Sequence, residues 1–270
     1  MSVLDTLLES SRQRCAQLQQ GLGDLEAAAR DVDPCRGFRS AIVHDPDRLA
    51  VIAEFKRRSP SKGPLRLDAD ARSVVATYAA GGATALSILT EPTQFGGSLE
   101  DLRIARETAL LPILRKDFIV DTPQILEARV AGADAILLIA AAFGRSNECA
   151  DLAGFALELG LDVLIEVHDQ TEAQAVRSIR GVVFGINARN LATFDEHLDE
   201  AFQLRSCFAV DDVVVAESAI RNVGDAQRAC QAGFDAVLVG EMLMRADNPE
   251  QAVHELSNIH SSHATHGNRR

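Results

Sequence analysis

A (β/α)8 barrel is the fold class that this 270-residue sequence predicts. Eight short apolar runs punctuate the chain, at residues 51–53, 85–89, 112–114, 135–140, 163–165, 182–186, 213–216 and 236–239. Most of them end in polar or charged residues: Glu54 and Lys56, Thr90, Lys116, Glu166, Asn187 and Glu217, with Gly240 after the last. A strand repeated with chemistry at its end fits a fold whose active site collects at the C-terminal ends of the strands. The third observation is an internal echo. Ala131-Gly132-Ala133-Asp134-Ala135 and Ala232-Gly233-Phe234-Asp235-Ala236 are near copies, and Ala80-Gly81-Gly82-Ala83-Thr84-Ala85 is a looser third. Such repetition favours a barrel over a doubly wound sheet, and no Gly-x-Gly-x-x-Gly follows the first strand.

The elements follow in order. Residues 1–48 precede the first strand. There Leu4, Leu7 and Leu8, then Leu18, Leu22 and Leu25, recur at helical spacing, so one or two amphipathic helices are expected as an extension packed on the barrel. Asp31-Val32-Asp33-Pro34 breaks them. From residue 49 to 258 strands alternate with helical segments at 70–80, 123–131, 147–159, 171–179 and 222–232. A glycine follows each, where the chain turns back into a strand. Residues 259–270, rich in Ser, His, Thr, Asn and Arg, read as a disordered tail. His260, His263 and His266 fall three apart within it, as on a solvated segment rather than a metal clip.

Composition narrows the function. Hydrophobic residues make up 47% of the chain, enough for one large core, and α/β barrels of about 200–250 residues form single domains. The net charge of −12 opposes a nucleic-acid or acidic-membrane surface, though a local basic cluster can still hold a small anion. Five cysteines without zinc spacing read as reduced thiols of a cytoplasmic protein. The N-terminus lacks the basic start of a signal peptide, and the longest apolar stretch falls far short of the ~20 residues that span a bilayer.

The strand ends carry the candidate chemistry. Glu54 and Lys56 are two apart on a strand and share a face. The basic loop after them, residues 57–64, is placed to close over an anion. Lys116 can serve as general acid, Schiff-base amine or phosphate clamp. Glu166 in an apolar setting is poised for proton transfer, with His168 two residues on as the competing base. Asn187 and Arg189 can orient or grip a hydroxyl or carboxylate. Glu217-Ser218 and Gly240-Glu241 follow the last two strands, where barrels of this class often seat a phosphate.

Four long segments in order resemble the indole-3-glycerol phosphate synthase family. They are Ile52-Ala53-Glu54-Phe55-Lys56-Arg57-Arg58-Ser59-Pro60-Ser61-Lys62-Gly63, Leu114-Arg115-Lys116-Asp117-Phe118-Ile119-Val120-Asp121, Gly185-Ile186-Asn187-Ala188-Arg189-Asn190-Leu191 and Val239-Gly240-Glu241-Met242-Leu243-Met244-Arg245. The resemblance implies a carboxy-lyase of tryptophan biosynthesis. Its substrate, 1-(2-carboxyphenylamino)-1-deoxyribulose 5-phosphate, becomes indole-3-glycerol phosphate, CO2 and water without metal or organic cofactor. It implies Lys116 as general acid for ring closure and Glu166 for proton transfer in dehydration. Lys56 is implied as a second acid or as the holder of the substrate carboxylate, with Glu54, Asn187, Glu217 and Ser218 as the remaining polar frame. Phosphate falls to Lys56, Ser59, Arg189, Ser218, Ala219, Gly240 and Glu241. Phe95, Phe118, Leu137 and Leu191 match positions that sandwich the aromatic ring; their alternative reading is ordinary core. The implied partners are this small phosphosugar-anthranilate molecule and, weakly, other tryptophan-pathway enzymes; no nucleic acid or membrane is implied.

One residue departs from the family pattern. Where the family usually reads Glu-Ser-Gly-Ile, this chain has Glu217-Ser218-Ala219-Ile220. A left-handed backbone there would cost alanine roughly 1 kcal/mol, and weaker phosphate binding is the largest expected effect. Two other readings are disfavoured. A phosphoribosylanthranilate isomerase would carry a cysteine at the end of strand one, where Glu54 stands. A non-catalytic phospholigand binder has only Ala219 to support it.

Overall fold

The computed structural model describes residues 3–43, 45, 47–144, 147–189, 195 and 197–260. Eight parallel strands close into one barrel: β1 (Ala50–Phe55), β2 (Ala85–Leu89), β3 (Ile113–Lys116), β4 (Ala135–Ile139), β5 (Asp162–Val167), β6 (Val183–Asn187), β7 (Val213–Glu217) and β8 (Ala236–Val239). Each strand pairs with its neighbours in sequence, and β1 closes against β8. The expected strands are all present, within a few residues of the apolar runs. Thirteen of the fifteen residues in one buried cluster fill the barrel interior at alternate strand positions, among them Ile52, Leu114, Leu137, Leu164, Val215 and Leu238. A second cluster packs the outer strand faces against the helices.

The helices include those the sequence predicts, with sharper ends. They are α1 (Val3–Leu18), α2 (Leu22–Arg30), α3 (Phe38–Ile42), α4 (Ala71–Ala80), α5 (Leu99–Thr108), α6 (Thr122–Val130), α7 (Glu148–Glu158), α8 (Gln170–Val176), α9 (Leu198–Leu204), α10 (Val223–Gln231), α11 (Glu241–Arg245) and α12 (Pro249–Ser257). Asp70, Asp121, Asp169 and Asn222, at the edges of the expected helices, are N-caps whose side chains accept backbone N–H groups of the first turn. The short α3 is the other contributor to the interior cluster: Phe38 and Ile42 are buried among its residues.

The sequence echo has a physical meaning. Gly82, Gly132 and Gly233 all take left-handed backbone, with φ of 87°, 90° and 85°. The next residue, Ala83, Ala133 or Phe234, is buried. The polar residue after it locks the preceding strand. Thr84 Oγ1 accepts Val51 N–H at 3.1 Å, Asp134 accepts Ile113 N–H at 2.8 Å, and Asp235 accepts Val214 N–H at 2.9 Å. The backbone N–H groups of Thr84, Asp134 and Asp235 return the bond to the carbonyls of Val51, Ile113 and Val214. Asp134, fully buried, also accepts from Arg36 N–H and Arg106, so the segment before α3 is tied to the same lock.

Residues 259 and 260, expected in the tail, pack on the barrel instead. Ile259 is buried, its carbonyl accepts Leu49 N–H at 3.0 Å, and His260 bridges Arg48 beside β1. An apolar residue one turn past α12 can still pack, which the polar composition of the tail concealed. His263 and His266 lie outside the described residues.

Two glycine substitutions test whether backbone geometry or space sets these positions. Gly233→Ala meets no atom within 4 Å, yet its positive φ should cost about 1 kcal/mol. Gly154→Ala, inside α7 with equally open surroundings, should stabilise by up to about 1 kcal/mol. Urea midpoints moving in opposite directions would be the expected result; a shared direction would overturn this assignment.

Candidate active site

The barrel register brings the strand ends to one level. Leu89 pairs with Lys116, Ile139 with Glu166, and Asn187 with Glu217. A cavity of about 600 Å³ opens above this level. Glu54, Lys56, Lys116, Glu166, Asn187, Glu217 and Ser218 all line it, as do Arg189, Ala219, Gly240 and Glu241. Phe95 and Phe118 form a tilted aromatic pair in its wall, ring centres 6.1 Å apart, and Leu137 lines it too. Leu191 lies outside the described residues.

Lys116 is the centre of the polar floor. Its Nζ donates to Glu166 Oε2 at 2.6 Å and to Glu217 Oε2 at 2.9 Å. The three side chains are 12%, 3% and 2% exposed, so water screens their charges weakly. Burial alone would lower the lysine pKa, but Glu166, Glu217 and Glu54 outweigh it and raise it above its ordinary value. The two carboxylates then separate. Burial pushes both up, but Lys116 and His168 hold Glu166 well below the usual carboxylate range. Glu217 has Lys116 against it and Glu166 beside it, and is pushed up to about 8. Its buried Oε1 has no hydrogen-bond partner. The unequal cations around the pair thus set the two carboxylates apart, Glu166 held down and Glu217 pushed up.

A second ion pair stands beside the first. Lys56 Nζ lies 2.5 Å from Glu54 Oε1, with both side chains nearly buried. Two missing side chains make room for the carboxylates. A Cβ on Gly240 would stand 2.2 Å from Glu54 Oε1, and one on Gly185 would stand 2.0 Å from Glu217 Oε1. Gly240 is thus small in part because Glu54 needs the space, a reason the sequence reading did not supply.

Three placements differ from expectation. Ser59 does not line the cavity. It is buried in a small hairpin of residues 58–59 and 63–64, where its hydroxyl accepts Lys62 N–H at 3.2 Å. Arg57 turns from the cavity: it grips Asp101 with two bonds of 2.7 and 2.8 Å, and its guanidinium lies 4.9 Å from the ring centre of Phe55. Of that basic loop, Pro60, Ser61 and Lys62 reach the cavity. His168 is not on the wall and sits behind Glu166.

Other wall residues were not singled out from sequence. Val3, Leu4 and Leu7 bring α1 into the cavity, and Arg221 and Arg245 add positive charge near the ends of β7 and β8. A buried polar cluster fastens α1 next to Lys116. Arg14 donates to Asp117 at 2.8 Å, and Asp117 also accepts from Thr90 and the fully buried Arg115. Arg115 reaches Glu127 and the Gln124 carbonyl as well. The available signal was an Arg and an Asp flanking Lys116 on the strand face where apolar residues normally meet the helices.

Ser218 and Ala219 both take left-handed backbone, with φ of 62° and 55°. Ala219 therefore carries the strain that the departure from the family pattern foretold.

Among solved structures, 3-hexulose-6-phosphate synthase from Salmonella typhimurium superposes with a TM-score of 0.59 at 13% identity, covering 78% of this chain and 98% of that one. The α subunit of tryptophan synthase from Legionella pneumophila str. Paris gives 0.57 at 14%, covering 83% and 98%. At such identities the likeness shows the barrel fold alone. Sequence comparison goes further. The family model described as indole-3-glycerol phosphate synthase matches residues 4–256. The indole-3-glycerol phosphate synthase of Nocardioides sp. (strain ATCC BAA-499 / JS614) is 45% identical over 97% of this chain and 100% of its own length. That of Bacteroides thetaiotaomicron is 42% identical over 88% and 87%. With the match running through nearly the whole barrel and its N-terminal helices, the chain belongs to the indole-3-glycerol phosphate synthase family.

Proposed function

We propose that the cavity at the barrel mouth carries out the family's decarboxylating, dehydrating ring closure with the residues assembled there. The observation that supports this most strongly is the buried Lys116 between Glu166 and Glu217, in the same cavity as the Phe95–Phe118 pair. The apolar side of the cavity suits the substrate's aryl ring, and the polar floor suits its ketone and hydroxyl groups.

In this reading the ring carbon bearing the carboxylate attacks the ketone carbon, and the Lys116 ammonium gives a proton to the ketone oxygen as charge builds on it. The intermediate is cationic near the anilino nitrogen, where the Glu166 charge stabilises it. Loss of CO2 breaks the bond from ring carbon to carboxylate and restores aromaticity. Dehydration then removes the new hydroxyl as water, with Lys56 supplying the proton, while Glu166 accepts the proton from the adjacent carbon. Glu54 holds Lys56 in place, and Asn187 and Ser218 orient the hydroxyl groups.

The phosphate seat is assigned to the backbone N–H groups of Ser218, Ala219, Gly240 and Glu241, with Arg189 in reach. Glu241 turns its own carboxylate to Arg245 at 3.2 Å, which leaves its main chain for the anion. The N-terminal helices belong to the same catalytic unit in this proposal, on the strength of Val3, Leu4 and Leu7 in the wall. A reducing cytoplasmic setting and weak association with other enzymes of the pathway complete it; the five free cysteines, three of them buried, support the former.

The purified protein should convert the carboxyphenylamino substrate to an indole-fluorescent product; intact substrate binding without turnover would refute the assignment. Lys116→Met should lower kcat by about 10²-fold or more while the circular dichroism spectrum is kept. Burial and Glu166 push Glu217 up to about 8; its ionisation there adds a charge beside Lys116 and weakens that ammonium as an acid, so kcat/KM should fall as pH rises through that value, and Glu217→Gln should remove this limb. Ala219→Gly should relieve left-handed strain and raise stability by up to about 1 kcal/mol in urea unfolding, with KM equal or lower.

A further inference from the structure

A histidine behind the floor of the cavity remains without a task in the mechanism above. His168 follows Glu166 by two residues and its side chain is 11% exposed. Its Nε2 lies 3.2 Å from Glu166 Oε1, and its Nδ1 lies 3.1 Å from Glu172 Oε2. That same Glu172 oxygen accepts the His168 backbone N–H at 2.8 Å. Glu172 stands in the first turn of α8, where its own N–H donates to the capping Asp169 at 2.9 Å. Sequence spacing thus sets the clamp: strand end, cap and first turn lie within seven residues, from Glu166 to Glu172.

A ring with a carboxylate close to each nitrogen favours the charged form: Nδ1 is hydrogen-bonded to Glu172, and Nε2 faces Glu166 as an ion pair without hydrogen-bond geometry. Burial opposes that charge, but Glu166 and Glu172 outweigh it, and the pKa is pushed up to about 10. Such an imidazolium has no free lone pair near neutral pH, which removes His168 as the competing base. Its effect falls on the carboxylate pair. Glu166 and Glu217 share Lys116, but only Glu166 has a second cation beside it, and Glu217 keeps an unpartnered oxygen. Two neighbouring carboxylates around one lysine cannot both ionise freely, so the extra cation favours the ionised form of Glu166.

We propose that His168, held by Glu172, is a positioning residue that fixes the Glu166 carboxylate and keeps it ionised beside Glu217. The proposal rests on Glu166 as the base of the dehydration step. The charged groups facing the Glu166–His168 contact are Lys116 from β3, Glu217 from β7 and Glu172 from α8, with Glu54 from β1 acting through Lys116.

The test is the pH dependence of kcat and KM for the wild type, His168→Gln and Glu166→Gln, together with ¹⁵N spectra of the wild-type histidines. His168→Gln should lower kcat about tenfold, leave KM within about twofold, and move the acidic limb of kcat up by about one pH unit, since Glu166 without its second cation ionises later. The wild-type ring should stay protonated at both nitrogens through pH 8. A neutral ring at pH 8 overturns the proposal even if the variant does not fold. So does a His168→Gln enzyme whose acidic limb stays in place, whatever its kcat. Glu166→Gln separates the two readings. If it is inactive while His168→Gln behaves as wild type, only the role of His168 falls; if it is fully active, the assignment of Glu166 as base falls, and this proposal with it.

Discussion

A lysine ammonium held between two buried carboxylates is the contact around which the mouth of this barrel is arranged. Lys116, Glu166 and Glu217 come from three different strands, and each is almost without water. In such surroundings an unpaired charge costs several kcal/mol, so Lys116 and Glu166 hold each other in place. The lysine stays charged because of the carboxylates. The two carboxylates differ because the cations around them are unequal.

The rest of the fold keeps that contact in register. Parallel pairing sets Ile139 against Glu166 and Asn187 against Glu217, so the reactive ends stay level. At the far end, Asp134 and Asp235 lock the starts of neighbouring strands, and the glycine turns before them let the chain enter each strand. Near the mouth, Gly185 and Gly240 leave room for Glu217 and Glu54. The Arg14–Asp117–Arg115 cluster brings α1 against the strand that carries Lys116. That helix closes one side of the cavity, so the segment before the barrel helps shape the site.

Strand positions were legible because each buried strand is a short apolar run that ends where chemistry begins. Helices α4, α6, α7, α8 and α10 were legible from the glycines after them, whereas α5 and α12, which no such glycine follows, were not. Short helices such as α3, α9 and α11 were not, since five to seven residues are too few to show a period. Ser59 was placed at the phosphate by its position in a motif, but the hairpin turned its hydroxyl inward. Leu4 and Leu7 carried a clear helical signal, yet nothing in that signal says which cavity a helix will face.

The sequence by itself determined the order of the strands, the residue type at the end of each and the family to which these belong. It did so because period, turn chemistry and motif are local properties of the chain. Only the tertiary structure decided that Lys116 meets both Glu166 and Glu217, why Gly240 must be small, and that His168 lies between Glu166 and Glu172 and off the cavity wall. Those outcomes depend on distances through space. Lys116 meets Glu166 and Glu217 across 50 and 101 residues of chain, and the balance of burial and charge exists only once the barrel has closed.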